Sequence, residues 1–352
     1  MTATEMGTHG TARTAVRSAR AARRRRVAAV TSGLAAIAGG LFLVTMMVGG
    51  AGLTPWEVFA SVSRLATDPA DDFIVLELRL PGALTAVTAG LALGVAGVVF
   101  QTLLANPLAS PDLVGISSGA SLFAVTSIVF LQASAIAIAG SALAGAFLAA
   151  ALIYLLAFRD GVTGYRFILI GIAVTQFMTA LIGWVLARAE ISDAREAMTW
   201  LVGSVGRAGP LQLQLLTAGV VVLVPLAMAA GRALGLLELG DASAQALGVP
   251  VERTRLALIA VAVTLVALAT AAVGPLAFIA LTAGPIATRL LRGAGTAILA
   301  SGLVGAILVL AADLVATHAL PIALPTGVVS GAVGAPYLIW LLATVNREGR
   351  GG

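Results

Sequence analysis

The sequence contains no cysteine and no lysine, and it has only two histidines, His9 and His318. The absence of cysteine excludes disulfides, thiol redox chemistry and cysteine-based metal sites. Two histidines also disfavour a histidine-rich metal site. Without lysine, the phosphate-binding motif Gly-x-x-x-x-Gly-Lys-(Ser/Thr) cannot occur. We therefore predict no catalytic residue, no metal site and no cofactor bound by this chain.

Charged residues are also scarce, at 11% of the 352 residues, whereas about a quarter is usual for a soluble chain. Hydrophobic residues make up 59%, and apolar runs of about 20 residues, the length that spans a bilayer as a helix, recur from end to end. The predicted fold class is an all-α polytopic membrane protein with about ten transmembrane helices. We place them at 27–49, 82–104, 114–132, 135–157, 166–187, 211–231, 255–273, 275–290, 295–315 and 325–345.

Arginine is distributed unevenly between the two sides that these spans define. With the N-terminus inside, 16 of the 21 arginines lie inside and 5 outside, and without the seven of the N-terminal tail the ratio is still 9 to 5. The positive-inside rule therefore predicts that both termini are cytoplasmic. We expect a basic, disordered cytoplasmic tail (1–26), a single ten-helix transmembrane domain (27–346) and a short cytoplasmic tail (347–352).

The basic block "RAARRRR" ends directly before the first apolar run. This position favours a membrane anchor over a nucleic-acid site. A signal peptide is the alternative for the first run, but the tail is long for one and "MMVGGAGLT" is a poor cleavage site.

The stretch "QTLLANPLASPDLVGISSGAS", residues 101–121, interrupts the apolar pattern. Its two prolines cannot continue a helix, so a turn is predicted, and Asp112 is a candidate cap for the next helix. The small residues after it permit close packing against another helix. The residues singled out at this inner turn and helix start are Asn106, Pro107, Pro111, Asp112, Ser117, Ser118 and Gly119.

Four ordered motifs carry a resemblance to a known family. They are "ELRLPGALTAVTAGLALGVAGVVFQTLLANPLASPDLVGISSGAS" (77–121), "LGDASAQALGVPVERTR" (239–255), "VGPLAFIALTAGPIATRLL" (273–291) and "LPTGVVSGAVGAPYLIWLL" (324–342). In this order the motifs resemble the FecCD family, the ten-span permeases of type II ABC importers, which move ferric siderophores, haem and vitamin B12. The resemblance runs from about residue 75 to 345.

The resemblance implies a multi-pass permease of the bacterial cytoplasmic membrane that receives a ferric siderophore from an extracytoplasmic substrate-binding protein. It further implies two separate ATPase subunits, which use ATP and Mg, and a second permease subunit. The loop 232–254 is expected to couple to the ATPase, and Arg79 to dock the binding protein. The coupling residues are expected to be Gly240, Asp241, Ala244, Leu247 and Gly248. Arg253 and Arg255, which follow, are interpreted as positive-inside anchors.

Three places depart from the pattern of many relatives. Gly82 replaces an arginine, Gly284-Pro285 replaces Pro-His, and Ala323 replaces an acid. These changes reduce the number of charged residues on the outer side that would contact a binding protein. We therefore expect a non-identical partner permease that supplies more of these charges.

Two kinds of alternative remain open. Haem or a corrinoid such as vitamin B12 would suit the same family. An ion-coupled secondary transporter would need charged groups near the bilayer midplane, and the predicted spans hold almost none, with Asp313 close to an outer helix end.

The cysteine-free sequence makes the predicted topology directly testable. A Ser243→Cys variant is expected to resist an impermeant thiol reagent applied to intact cells, because 232–254 is predicted to be cytoplasmic. A Ser63→Cys variant, in the segment 50–81 predicted to lie outside, should react and serves as the control. Rapid labelling of Cys at position 243 together with protection at 63 would show that the orientation is the reverse of the predicted one.

Overall fold

A computed structural model describes residues 3–50, 52–65, 68–112, 114–158, 164–319 and 321–348. Within these ranges the protein is helical and has no strand. The α-helices are α1 (Ala3–Met47), α2 (Pro55–Val62), α3 (Pro69–Asp72), α4 (Leu80–Leu103), α5 (Ile116–Leu131), α6 (Ala135–Ala157), α7 (Gly164–Leu186), α8 (Ile191–Val202), α9 (Pro210–Ala229), α10 (Gly231–Leu237), α11 (Asp241–Ala246), α12 (Val251–Val273), α13 (Ile279–Leu291), α14 (Ile298–Leu314) and α15 (Thr326–Glu348).

Each predicted span coincides with a helix, but not all of these helices have full membrane length. Among the described residues, seven helical stretches are long and apolar enough to cross a bilayer. The helices at 116–131 and 279–291 are apolar but shorter, and so is the apolar part of α15, 326–340. The protein is thus an all-helical integral membrane protein, and ten crossings remain a prediction.

The N-terminal helix begins before the first predicted span. Helix α1 starts at Ala3 and continues without a break into the first apolar run, while the disorder of the tail 1–26 stays a prediction. Alanine and arginine, which dominate residues 17–26, are both strong helix formers, and the following apolar helix supplies the nucleus. At the other end α15 reaches Glu348, inside the predicted tail 347–352.

The second span also begins earlier than predicted. The helical stretch runs from Pro69 to Leu103, and a π-helical segment, Phe73–Arg79, joins α3 to α4. Pro81 lies just after the change from π-helix to α-helix, in the first turn of α4.

Helix α4 forms the centre of the bundle: 83% of its most apolar window is buried, and it packs against α14, α12, α13 and α9. The closest of these crossings is with α14. A Cβ atom on Gly90 would lie 2.5 Å from both the Ala306 Cα and the Gly305 carbonyl oxygen. Gly94 faces the backbone of Ser301 and Gly302 in the same way. The Gly-x-x-x-Gly pair of α4 therefore serves as a packing surface.

The second such pair, in "GVVSG", behaves differently. Gly327 lies against the Val202 carbonyl, where a Cβ atom would overlap it, but a Cβ atom on Gly331 would meet nothing within 4 Å. Only the first glycine of this pair is required by a close contact.

The loops gather at two ends of the bundle, which we name by one residue each. At the Leu103 end, Leu103 packs on the cluster of Leu237, Ala244 and Val251, and Arg26 donates to the Leu290 carbonyl at 3.2 Å. At the Arg79 end lie the segments around 48–50 and 204–206. This grouping matches the two sides predicted from the arginine distribution; that the Leu103 end faces the cytoplasm stays a prediction.

The close α4–α14 crossing yields a stability prediction. Gly90→Ala is expected to lower the free energy of unfolding by roughly 1–3 kcal/mol, because the added methyl group must push two backbones apart. The measurement is the midpoint of thermal unfolding in detergent. Gly331→Ala, which adds the same methyl group to open space in α15, is the matched control and should unfold like the wild type. Equal midpoints for both variants would contradict the close crossing.

Candidate functional site

The turn at the Leu103 end is held by side chains at both of its ends. The chain leaves α4 through Ala105, which has a positive φ of 47°, and the Leu108 amide then donates to the Asn106 Oδ1 at 2.9 Å. Gln101, buried in α4, donates from Nε2 to the carbonyls of Pro107 and Leu281, each at 2.9 Å. One amide group thereby fastens the turn to both α4 and α13.

Asp112 does not cap α5 as predicted. The N-cap is Gly115, with φ of 98° and no side-chain hydrogen bond to the helix start. The Asp112 carboxylate instead accepts a hydrogen bond from the Ser117 hydroxyl. Its second oxygen, Oδ2, is buried and has no hydrogen-bond partner among the described residues. Burial raises the pKa of Asp112, and the Ser117 hydrogen bond opposes that shift. The prediction failed because α5 starts four residues after Asp112, beyond the reach of an N-cap.

The small residues of the following helix start pack as expected. Gly119 lies against Gly145 and Ala149 of α6, and a Cβ atom on it would come 2.5 Å from the Gly145 carbonyl. Pro111 and Ser117 are buried, whereas Ser118 is half-buried and Pro107 is exposed. The turn is thus embedded in the bundle on one side and open on the other.

The predicted coupling loop forms two short helices, α10 and α11, before α12 begins. Gly240 and Gly248 bound α11 with positive φ values of 89° and 85°, a conformation that favours glycine. Neither glycine would contact a described atom if it carried a Cβ. Backbone geometry, and not a close contact within this chain, therefore requires glycine at both positions.

Helix α11 has one buried side chain, and an exposed apolar side chain lies at its C-terminal end. Ala244 is fully buried in the cluster with Leu237 and Val251, against which Leu103 packs. Leu247, at the C-terminal end of α11, is 61% exposed. The loop thus has one buried small side chain and one exposed apolar side chain.

Arg255 is not the simple anchor that the sequence suggested. Its side chain is only 11% exposed, and it pairs with Asp241 at 2.8 Å and Glu252 at 3.2 Å. Arg253, by contrast, is exposed. Arg255 therefore has two acidic partners that the sequence interpretation did not include, because α11 folds back and brings Asp241 to it. Its placement on the inner side of the membrane stays a prediction.

Arg79 lies at the opposite end, far from these residues along α4. Its Nη1 donates to the Met46 carbonyl at 2.7 Å, at the end of α1. It also lines a cavity of about 510 Å³ together with Ser204, Asp313 and His318. The side chain is half-buried, so it supports the fold as well as facing this cavity.

Asp313 is a helix-end partner, as its sequence position suggested. It accepts a hydrogen bond from the Thr326 hydroxyl at 2.7 Å, and that hydroxyl accepts one from the Val205 amide at 3.2 Å. The three groups join α14, α15 and the segment after α8.

Sequence reasoning missed Gln101, Arg255 and Thr326 as structural connectors. A signal existed for Gln101, the single amide side chain in the predicted span 82–104, because a polar group in an apolar helix usually has a buried partner. Across the described residues, no three His, Asp or Glu side chains group as metal ligands would. What the arrangement offers is mechanical connection between helices.

Asp112 yields a pH prediction. A carboxyl group whose folded pKa is raised stabilises the fold while it is neutral, and that stability is lost as pH rises through the folded pKa. Asp112→Asn keeps an acceptor for Ser117 and removes the charge. We expect the variant to gain thermal stability relative to wild type at pH 8, by roughly 1–3 kcal/mol, and little at pH 4. The exposed Glu238→Gln control should show no such gain. Parallel pH profiles for wild type and Asp112→Asn would contradict the prediction.

The sequence and the fold were compared with those of known proteins. The FecCD transport family matches residues 36–344. The ferric enterobactin transport system permease protein FepG of Escherichia coli is 41% identical over 282 residues, 78% of this chain and 84% of that protein. The vitamin B12 import system permease protein BtuC of Vibrio cholerae is 35% identical over 86% of this chain and 91% of that protein.

A solved structure shares the fold. A metal-chelate type ABC transporter in an inward-facing conformation superposes with a TM-score of 0.80, covering 90% of this chain and 99% of that one, at 24% identity. The family match spans most of the described helices, including the turn after α4 and the loop of α10 and α11. The chain belongs to the FecCD transport family and is a membrane-embedded permease subunit of an ABC transporter, not an enzyme.

Proposed function

We propose that this permease carries a ferric siderophore from a substrate-binding protein across the bacterial cytoplasmic membrane by alternating access. The observation that carries the proposal is the 41% identity to a permease named for ferric enterobactin, against 35% to one named for vitamin B12. The corrinoid is therefore the second candidate. The scarcity of charge in the spans agrees with a large chelate that passes along small and apolar side chains.

Energy enters, in this proposal, from two ATPase subunits that dock at the Leu103 end, which we assign to the cytoplasm. Three features support the assignment. The arginine distribution favours this end as the inner one. Leu247 presents an exposed apolar side chain for a partner groove, and Ala244 packs in the cluster against which Leu103 of α4 lies. ATP and Mg would be bound by the partner and not by this chain.

The Arg79 end is proposed to receive the binding protein. Arg79 borders the open cavity there, and a guanidinium group suits a carboxylate because it can form two parallel hydrogen bonds. Gly82 borders the same cavity and carries no charge. We propose that the second permease of the assembly is a non-identical FecCD-type chain that supplies more of the docking charge.

The experiment is reconstitution of the assembly in proteoliposomes with its binding protein and ATPase subunits. We expect ATP-dependent accumulation of ⁵⁵Fe from a ferric siderophore and none of radiolabelled cyanocobalamin or haem. Isolation of the complex should yield two different permease chains. Accumulation of cobalamin or haem without iron would overturn the substrate, and an active complex with this permease alone would overturn the unlike pair.

The same assay tests the coupling surface. Leu247→Asp is expected to leave insertion intact and to lower uptake at least tenfold, because it would bury an unpaired charge in the contact with the ATPase. Gln245→Asp, which adds the same charge at an exposed position of the same helix, is the matched control and should retain most of the uptake. Wild-type uptake in Leu247→Asp would remove Leu247 from the contact.

A further inference from the structure

The burial of the Arg255 side chain is not explained by its position in the sequence, directly before an apolar run. Arg255 lies in the second turn of α12, and its side chain is almost fully buried. Its two terminal nitrogens bind different acids: Nη2 contacts the Asp241 carboxylate of α11, and Nη1 contacts the Glu252 carboxylate of α12 itself. Only the first of these contacts joins two helices.

Besides this ion pair, helix α11 packs against α10 and into the cluster of Leu237, Ala244 and Val251. It has six residues, and so short a helix is not stable alone. The backbone on either side passes through Gly240 and Gly248, both in the left-handed region, and Ala244 is the helix's buried side chain. These apolar contacts are not directional, whereas the ion pair joins the first residue of α11 to α12 at a defined point.

Helix α12 continues from this contact into the core. It packs against α4, α9 and α6, and Leu258 and Leu265 on it are almost fully buried. A displacement of α12 must therefore be accommodated by the central helices, because close-packed interiors do not absorb such movement locally.

We propose that Arg255 is a positioning residue that binds α11 to α12, so that the two helices move as one unit when the ATPase subunits displace α11. The inference rests on the proposed function of the loop in coupling. An arginine suits this role because its planar fork reaches two carboxylates at once, whereas a lysine presents a single point charge. The Arg255→Lys variant should consequently hold α11 to α12 less firmly than the wild type does.

The two acids provide a matched pair of variants. Asp241 and Glu252 are equally exposed, at 54% and 55% of their side chains, and both contact Arg255. Asp241→Ala cuts the link between the helices, whereas Glu252→Ala cuts only a contact within α12. Arg255→Gln should behave like Asp241→Ala, and Arg253→Gln, at an exposed neighbour, should behave like wild type.

The first measurement is the relative motion of the two helices. Spin labels on cysteines introduced at the exposed positions Gln245 and Ala260 report the α11–α12 distance by EPR spectroscopy in the full assembly, with and without ATP. We expect a narrow distribution that ATP does not change in wild type and Glu252→Ala, and a clearly broader one in Asp241→Ala and Arg255→Gln. Distributions as narrow as wild type in the latter two would overturn the inference.

The second measurement is substrate transported per ATP hydrolysed in proteoliposomes. We expect a loss of at least fivefold for Asp241→Ala and Arg255→Gln, and values within twofold of wild type for Glu252→Ala and Arg253→Gln. Broadening without a loss of transport per ATP would also overturn the inference. If the Arg255→Gln variant does not assemble, the Asp241→Ala variant decides the question. The Asp241 side chain is half-exposed, so its removal should not prevent folding.

The two proposals fail in different ways. A wild-type assembly that moves no ferric chelate refutes the proposed substrate, while the EPR distances, which need no substrate, still decide the role of Arg255. Conversely, normal iron uptake with unchanged distances in Asp241→Ala leaves the proposed function intact and removes the positioning role.

Discussion

The contact on which the rest of the bundle depends is the backbone crossing of α4 and α14 at Gly90, Gly94 and Gly305. In a bilayer, apolar side chains gain little by leaving lipid for another helix, so close approach of backbones supplies much of the attraction. Because α4 also packs on α12 and α13, and Gly97 lies against the Ala280 carbonyl, the glycine-lined side of one helix holds most of the core together.

That central helix also connects the two ends where partners are expected. At one end Gln101 and Leu103 fasten the turn and the cluster beneath α11. At the other, α4 continues into the π-helical segment that carries Arg79 to the end of α1. A protein that transmits movement needs stiff elements between its contact surfaces, and a buried, continuous helix meets that need. Gln101 and Thr326, both buried, act in the same way as links between helices.

Some expectations failed, and they failed for a shared reason. Asp112 accepts a hydrogen bond from Ser117 and does not cap a helix, and the ion pairs of Arg255 were not expected. Each depends on which element lies opposite in space, and spacing along one chain does not specify that.

The sequence by itself determined that the protein is helical and membrane-embedded, because repeated apolar runs of about 20 residues match the thickness of a bilayer as helices, whose backbone groups bond internally. Its ordered motifs also determined the family. The tertiary structure decided which residues act together: Asp241 and Arg255 are 14 positions apart and Gln101 and Leu281 are 180 apart, yet each pair is in direct contact. Such contacts arise only when helices pack, since the partner of a buried polar group is chosen by the geometry of the crossing and not by distance along the chain.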